Sequence, residues 1–596
     1  LRKLIADWFE DRTGLGSRLR SMREERLPGG PRWGYVCGSA LLAVLLVQAF
    51  TGLMMMTAYS AGSSTAWGSV YFIEKQMWMG WVIRGLHHFG AQTVMVLAAV
   101  HLLQVLLAAA YRAPREVNWW LGLVLFSLLI GFGHTGYQLP WDQKGYWATK
   151  VSTNIAGGAP VIGPYIKTVV VGGTEYGNQT LTRFYGLHVG ILPVLLAITL
   201  GAHLALRYRH GLKPPEGVSK EDAGKGPVAT YFPDQTFRNA LVVTAILGVM
   251  FGLVLWEGGA PLDSPADPSS PDYPARPEWY FRFLFQMLKF FPGRLEWVGS
   301  IAVPGALMTT LALLPLLDKV ISSKAVHFLA CTLAFLFAGG ATFLTIQSFR
   351  EDAQSAAYAI ARERADSANE RALFLAAHPD FGIPPEGAGY LFRHDPLTRG
   401  SALLEKKCLG CHFLNGKGTG EQSAPDLKDF GSLAWIRGLL EDPSADAYYG
   451  KAPECDGMAE WKKATKLDAK QLDQVAEFVA SFAKIPEDQT VDDWLNSPGV
   501  ADHPGNELFV KDCGKCHLID GYTEGGLRDA PDLFAWGSPR WIRRMIRRPS
   551  EPSLYGYLED KQRMPASPKD EMPDKDVEMI VRYLQGDYLK PPVPGH

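Results

Sequence analysis

The sequence predicts an all-α protein, a seven-helix transmembrane bundle followed by two small α-helical domains. Three observations lead there. Seven apolar stretches are long enough to cross a bilayer, which takes about 20 helical residues. Paired histidines recur inside two of those stretches, at steps of 14 and 15 residues. The polar tail repeats itself with an offset near 106 residues, as Ala424-Pro425-Asp426-Leu427 and Ala530-Pro531-Asp532-Leu533 show. A chain of 596 residues exceeds one ordinary core, and 59 Lys+Arg against 61 Asp+Glu give no case for nucleic-acid binding. The mean hydropathy of −0.02 averages an apolar front with a polar tail.

The elements follow in order. Residues 1–34 form a charged arm in which Leu4, Ile5, Trp8 and Phe9 fit a short helix lying on the membrane surface, with a solvated helix as the alternative. No cleavable signal peptide is visible, so the apolar run from Tyr35 is expected to serve as both targeting signal and first span. The seven spans are placed near 35–57, 82–110, 118–136, 184–208, 238–256, 299–316 and 325–347. They divide into a four-helix part, 35–210, and a three-helix part, 211–349. An odd count puts the chain ends on opposite sides. Lys and Arg concentrate on the arm and on the loops after spans two, four and six. That bias predicts a multi-pass bacterial inner-membrane protein with a cytoplasmic N-terminus and an extracytoplasmic tail. Residues 350–395 read as an extramembrane helix and a Pro/Gly linker around Pro384, Pro385 and Gly387, followed by tail domains at 396–490 and 491–596.

A histidine at membrane depth is costly unless it is paired or ligating. His87 and His101 lie 14 residues apart on the second span, about 21 Å along nearly one helix face. His188 and His203 make a similar pair on the fourth, and together the four suit two b haems stacked across the bilayer. His87 is preferred to His88 because its step to His101 is the more nearly in phase. Gly38 and Gly52 on the first span, and Gly122 and Gly136 on the third, repeat the 14-residue step. A missing side chain there lets a flat macrocycle approach, with close helix packing as the alternative.

In the tail, Cys408, Cys411 and His412, and again Cys513, Cys516 and His517, form Cys-x-x-Cys-His motifs for covalent c haem, the histidine being the proximal ligand. Met458 and Met564, at equivalent places in the repeat, are candidate sixth ligands, each for the haem of its own repeat. Met572 competes with Met564, and core packing is the alternative for each. Of seven cysteines, Cys37, Cys331 and Cys455 remain, scattered in a way that makes a disulfide network unlikely to form.

The first 350 residues resemble cytochrome b of the quinol-oxidising cytochrome bc family, in the seven-span chloroplast-type arrangement with two subunits joined into one chain. The resemblance rests on Gly136-Tyr137-Gln138-Leu139-Pro140-Trp141-Asp142-Gln143, Gly145-Tyr146-Trp147, Leu181-Thr182-Arg183-Phe184-Tyr185 with His188, and Pro277-Glu278-Trp279-Tyr280. The tail resembles class I cytochromes c through its haem and methionine signatures.

The resemblance implies a quinol-oxidation site on the outer face beside the haem of His87 and His188. There Glu278 would take a proton from quinol, with Tyr137, Tyr146 and Tyr280 lining or steering it; the alternative for Glu278 is a helix N-terminal carboxylate. The haem of His101 and His203 would serve an inner quinone site, with Arg207, Arg238 and Asn239 as candidates. Arg84 and His88 are candidates to meet haem propionates. Cys37 lies one residue from the place where related proteins attach an extra haem. One residue is about 100° around a helix, so a buried thiol is the preferred reading and a further haem the alternative.

The implied partners are a separate Rieske iron–sulfur protein, quinol, a soluble or membrane-bound cytochrome c or oxidase as acceptor, lipid, and a second copy in a homodimer. The competing functions are a membrane-anchored multi-haem electron relay without quinol catalysis, and quinol oxidation straight into the c haems without bifurcation.

Overall fold

Seven helices are long and apolar enough to cross a membrane: Trp33–Met56, Gly80–Leu107, Glu116–Gly136, Asn178–His210, Tyr231–Glu257, Val298–Val320 and Ser323–Gln354. Five cover the expected stretch in full, and the first two end one and three residues short of it, at Met56 and Leu107. The computed structural model describes residues 2–25, 27, 30–213, 230–270, 272–321, 323–379, 382–452, 456–519, 530–555 and 557–590; Cys455, and Gly556, which with Tyr555 repeats Tyr449-Gly450 of the sequence, lie outside them. The chain divides into two units, Leu1–Gly389 and Tyr390–His596. Among the described residues there is no strand, only two isolated bridges.

In the first unit, spans one and two pack along each other, as do three and four; span five lies across one and two, and spans six and seven pair. Their outer faces carry exposed Leu46, Phe50, Leu241, Phe328 and Leu336, as lipid contact requires. The arm forms two helices, Arg2–Thr13 and Leu15–Arg23, with Leu4, Ile5, Trp8 and Phe9 exposed. The seventh span runs on to Gln354, and Ser355 caps a further helix, Ala356–Ala377.

The fourth span is not a plain α-helix. A π turn occupies Leu187–Ile191 between α segments Asn178–Gly186 and Leu192–His210. Pro193 explains it, having no N–H to offer the Val189 carbonyl and a ring that would clash with it. A π turn absorbs one extra residue, so the 15-residue step from His188 to His203 places the two rings much as 14 residues do on the second span.

Two polar clamps tie the first unit together. On the side of the N-terminal arm, Arg112 grips Asp318 through two bonds of 2.9 Å, Tyr111 donates to the same carboxylate at 3.2 Å, and Lys319 pairs with Glu116 at 2.9 Å. This joins the turn between spans two and three to the end of span six. On the opposite side Arg84, buried, donates to Glu74 and to the carbonyl of Ala260 at 2.8 Å each, and to that of Pro261 at 2.6 Å. Arg84, expected at a haem propionate, is thus closed around protein acceptors and acts as a strut.

The second unit carries both repeats, and its helices pair across them. Each repeat has a leading segment that ends at the Cys-x-x-Cys-His motif (Pro396–Lys407; Pro504–Cys513), a middle helix (Leu433–Glu441; Pro539–Arg547) and a closing helix (Ala469–Ser481; Asp574–Leu584). The leading segment of the first repeat packs on the closing helix of the second, and that of the second on the closing helix of the first. Glycine sits at both crossings. A Cβ on Gly400 would lie 2.3 Å from Met579 O and 2.6 Å from Tyr583 Cβ; one on Gly505 would lie 2.1 Å from Gln474 O and 2.7 Å from Phe478 Cβ. Only a bare backbone fits this close.

Asp318→Asn tests the arm-side clamp. Arg112 keeps 36% of its side chain exposed, so the cost falls below the roughly 3–5 kcal/mol of breaking a wholly buried pair. A drop of about 2 kcal/mol should appear as earlier loss of b-type absorbance on heating in detergent. An unchanged melting curve would show that the clamp carries no load.

Candidate functional site

The four expected ligand histidines face the four expected glycines. A Cβ on Gly52 would lie 3.3 Å from His87 Cε1, one on Gly136 2.7 Å from His188, one on Gly38 3.6 Å from His101 and one on Gly122 3.7 Å from His203. The 14-residue step in the glycines is therefore the register of the histidines, read from the neighbouring helices.

At the end away from the arm, the rings of His87 and His188 are 6.4 Å apart between centroids. Two metal–imidazole bonds of about 2 Å, plus about 1 Å from each nitrogen to its ring centre, span nearly this gap. The tautomer is fixed as well. Thr51 Oγ1 donates its one proton to the Val47 carbonyl at 2.7 Å, so at 2.9 Å from His87 Nδ1 it accepts an N–H. Thr135 does the same between Gly131 O, 2.8 Å, and His188 Nδ1, 2.9 Å. In both rings Nε2 keeps its lone pair for a metal.

At the arm end, His203 Nδ1 is 3.2 Å from the Asn118 carbonyl. His101 and Gln104, three residues apart on one helix, interact through their side chains, and His101 Nδ1 and Gln104 Oε1 are both buried. The two histidines and Gly38 and Gly122 line a cavity of about 370 Å³. These residues fit a second haem. His88 and His134, by contrast, are engaged by side-chain amides, Gln92 at 2.9 Å and Gln138 at 3.1 Å, as ordinary buried histidines are.

The same cavity reaches Ser39, Arg207 and Tyr231. Arg207 donates to Glu25 at 2.7 Å. Asn239 lies one layer behind, donating to Tyr231 at 2.8 Å and Ser39 at 3.1 Å and accepting from Gln235 at 2.9 Å. Arg238 is turned outward, donating to the Asp234 carbonyl at 3.1 Å. Tyr231, Ser39 and Glu25 were not legible as site residues, since none belongs to a spaced motif. Cys37 is half-buried on the first span.

Beyond His87 and His188 lies the segment Pro277–Tyr280. Trp279 Nε1 donates to Gln92 Oε1 of span two at 3.0 Å, and a Cβ on Gly133 of span three would lie 3.3 Å from the Tyr280 hydroxyl. Glu278 stands at the N-cap of the short turn Trp279–Phe281, yet its side chain makes no cap bond. Oε1 instead accepts from Lys144 Nζ at 2.6 Å, with 11% of the glutamate and 31% of the lysine exposed. Among the described residues Oε2 has no hydrogen-bond partner. Burial, with the Glu278 charge adding to it, pushes the Tyr137 phenol up to about 12 and raises Tyr280 too, so both remain O–H donors. Tyr146 is buried among Trp141, Trp147 and Leu181 and supports the wall.

Asp352 fixes this segment from outside. Arg276 reaches it at 2.7 Å and Arg282 at 2.6 Å, one on each flank of Glu278. Neither Lys144 nor this carboxylate stands out in the sequence, although Lys144 sits between two quoted motif residues, Gln143 and Gly145.

In the tail, His412 Nδ1 lies 2.8 Å from the Pro425 carbonyl and His517 Nδ1 3.0 Å from that of Pro531. Burial lowers the proton affinity of both rings. Each therefore offers a neutral Nε2, as an axial ligand must. Met458 and Met564 are partly buried against the core, whereas Met572, 3% exposed, belongs to it.

Comparison with known families agrees along the chain. Residues 92–265 match the family described as cytochrome b (N-terminal)/b6/petB, and 265–363 the C-terminal b6/petD family. Residues 397–483 match cytochrome c, and 500–584 match cytochrome c oxidase, cbb3-type, subunit III. The menaquinol:cytochrome c reductase cytochrome b subunit of Geobacillus thermodenitrificans is 36% identical over 223 residues, 36% of this chain and 99% of that protein. The cytochrome bc complex cytochrome b subunit of Chlorobaculum thiosulfatiphilum is 33% identical over 296 residues, 49% of this chain and 68% of that one. Cytochrome b6 of Synechococcus elongatus is 34% identical over 211 residues, 35% of this chain and 98% of its own.

Thr135→Val keeps the shape and removes the acceptor for His188 Nδ1. Losing the hydrogen bond that orients a ligand imidazole typically costs about 10–100-fold in metal affinity, so the variant should shed one b-type haem on dilution into detergent. Gly136→Leu should lose that haem outright, read as half the extractable haem with the covalent haem unchanged. Full retention in both variants would remove His188 as a ligand.

Proposed function

The chain belongs to the cytochrome b family of cytochrome bc complexes, with cytochrome c domains on the same polypeptide, and from that premise we propose how it works as a subunit of a quinol:cytochrome c oxidoreductase. Quinol is oxidised at the side away from the arm, the extracytoplasmic side. One electron passes to a separate Rieske iron–sulfur protein and the other reaches a quinone site at the arm side. The tail delivers electrons outward to a cytochrome c or an oxidase, and the complex is a homodimer in a bacterial inner membrane.

Two haems would be held by His87 with His188 and by His101 with His203, and two by the Cys-x-x-Cys-His motifs; bound, they supply iron that takes and gives single electrons. The protein's own part is positioning and proton handling. Quinol oxidation releases two protons and two electrons, so a base must stand within reach of the quinol oxygen. The observation that carries the proposal is Glu278, buried, with one oxygen held by Lys144 and the other unclaimed. Tyr137 and Tyr280 keep their protons and wall the pocket as hydrogen-bond donors. Lys144, a third exposed, marks the edge where water meets the pocket. At the arm side, Arg207 and Tyr231 face the cavity that also holds His101 and His203, and Asn239 orients Tyr231.

Glu278→Gln should lower the kcat of inhibitor-sensitive quinol oxidation about 10²-fold with haem content intact; undiminished turnover would remove the carboxylate from the mechanism. Asp352→Ala frees both arginine flanks, and misplacing a reacting group by about 1 Å costs up to about 10²-fold. Its kcat should therefore fall while the haem spectra stay unchanged. Pyridine haemochrome spectra before and after acid–acetone extraction should give two extractable and two retained haems. A third retained haem would make Cys37 an attachment site.

A further inference from the structure

The exchange of helices in the tail decides which methionine reaches which haem. In each repeat the leading segment runs directly into the Cys-x-x-Cys-His motif, Lys407 being followed by Cys408 and the second leading segment ending at Cys513. Each candidate methionine lies ten residues before the aspartate that opens the closing helix, Met458 before Asp468 and Met564 before Asp574. A leading segment therefore carries a haem attachment site, and a closing helix brings a methionine.

The contacts sort these parts into blocks. The attachment motif stays with its own carbonyl loop, through His412 to Pro425 and His517 to Pro531. The middle helix stays with its own closing helix, through Arg437 to Asp473 in the first repeat and Arg543 to Glu578, 2.9 Å, in the second. The two blocks then meet across the repeats. Gly400 lies on Met579 and Tyr583, Gly505 lies on Gln474 and Phe478, and Arg399 pairs with Asp576 at 3.2 Å. The segments that join the blocks touch at a pseudo-twofold axis, where equivalent residues meet. A Cβ on Gly431 would lie 3.4 Å from Gly537 Cα, the rings of Phe430 and Trp536 are 5.0 Å apart, and the hydroxyls of Tyr449 and Tyr555 are 3.3 Å apart. Near that crossing the blocks of one repeat remain in touch through Asp426 N–H to Ala447 O at 3.0 Å.

We propose that haem ligation crosses the repeats. The haem on Cys408, Cys411 and His412 takes Met564 as its sixth ligand, and the haem on Cys513, Cys516 and His517 takes Met458. The proposal rests on the reading of these methionines as ligands. It makes the two c haems one obligate unit, since neither repeat completes a six-coordinate site alone.

The test uses the full chain with Cys513 and Cys516 both changed to Ala, which leaves covalent haem only at Cys408–His412. Its oxidised spectrum should show the methionine-to-iron charge-transfer band, which bis-histidine haems lack. Met564→Ala in this background should abolish the band and lower the c-haem potential, because methionine ligation raises it. Met458→Ala should leave both unchanged. The reverse result, loss with Met458→Ala and retention with Met564→Ala, overturns the crossing while sparing methionine ligation. Retention in both overturns Met458 and Met564 as the ligands, and the proposal with them, leaving another methionine as the source of the band; absence of the band from the parent overturns methionine ligation and the proposal together. Should the single-haem chain fail to accumulate, the two-haem chain gives the same answer. Its Met564→Ala variant is treated with peroxide, which attacks a haem with an open axial position, and mass spectrometry of the haem peptides shows which is destroyed. Damage at 408–412 supports the crossing, and damage at 513–517 refutes it.

Discussion

The first unit depends on four imidazoles buried between apolar helices and the need to satisfy both nitrogens of each. Within the hydrocarbon region an unpaired polar atom has no water to turn to, and each one left unsatisfied costs several kcal/mol. Thr51 and Thr135 take up one nitrogen of His87 and His188, and their own protons go to the carbonyls of Val47 and Gly131. What remains is a pair of Nε2 lone pairs pointing across a gap of metal size. A hydrogen-bonded core would have closed that gap with an amide, as it does at His88 and His134. The glycines of spans one and three follow from the same need, since any side chain there would enter the space the rings and a macrocycle share.

Around this centre the polar residues act as fasteners at the two ends of the bundle. Arg112 with Asp318, Arg84 with the carbonyls of Ala260 and Pro261, and Asp352 with Arg276 and Arg282 each join segments distant in sequence. Helix association within lipid gains little from the hydrophobic effect, so charge pairs near the interfaces fix which spans are neighbours. The Asp352 pair of contacts also holds Glu278 from both flanks, which links the packing of span seven to the geometry of the proposed proton acceptor.

What could be read from the sequence was whatever is periodic or contiguous. The seven spans stood out because hydropathy accumulates over about 20 residues, and the histidine–glycine register because a 14-residue step recurs on three helices and a 15-residue step follows on the fourth. The covalent haem motifs are five contiguous residues. The Pro193 turn was invisible as a compensation: a 15-residue step looks like a mismatch until the π turn is seen. A cation near a haem helix says nothing of the carbonyls of Ala260 and Pro261, which lie about 176 residues away in the chain and accept from Arg84. Lys144 and Asp352 were missed for the same reason, their partners being set by how spans three, six and seven come together.

The crossed helices of the tail are the least legible feature, because either pairing uses the same residues. Gly400 would suit the Phe478 face as well as the Tyr583 face, the two repeats being alike there. Covalent linkage decides whether exchange is affordable. Two separate cytochrome domains would lose translational freedom to associate in this way, roughly 4–15 kcal/mol at standard concentration. On one chain the connection between closing helix and next leading segment holds the partner at an effective concentration in the millimolar range, about a thousandfold above separate domains at micromolar concentration, which favours the association by about 4 kcal/mol. Duplication on a single polypeptide thus makes the exchanged form as accessible as the unexchanged one. The contacts special to it, Gly431 on Gly537 and Tyr449 on Tyr555, then tip the balance.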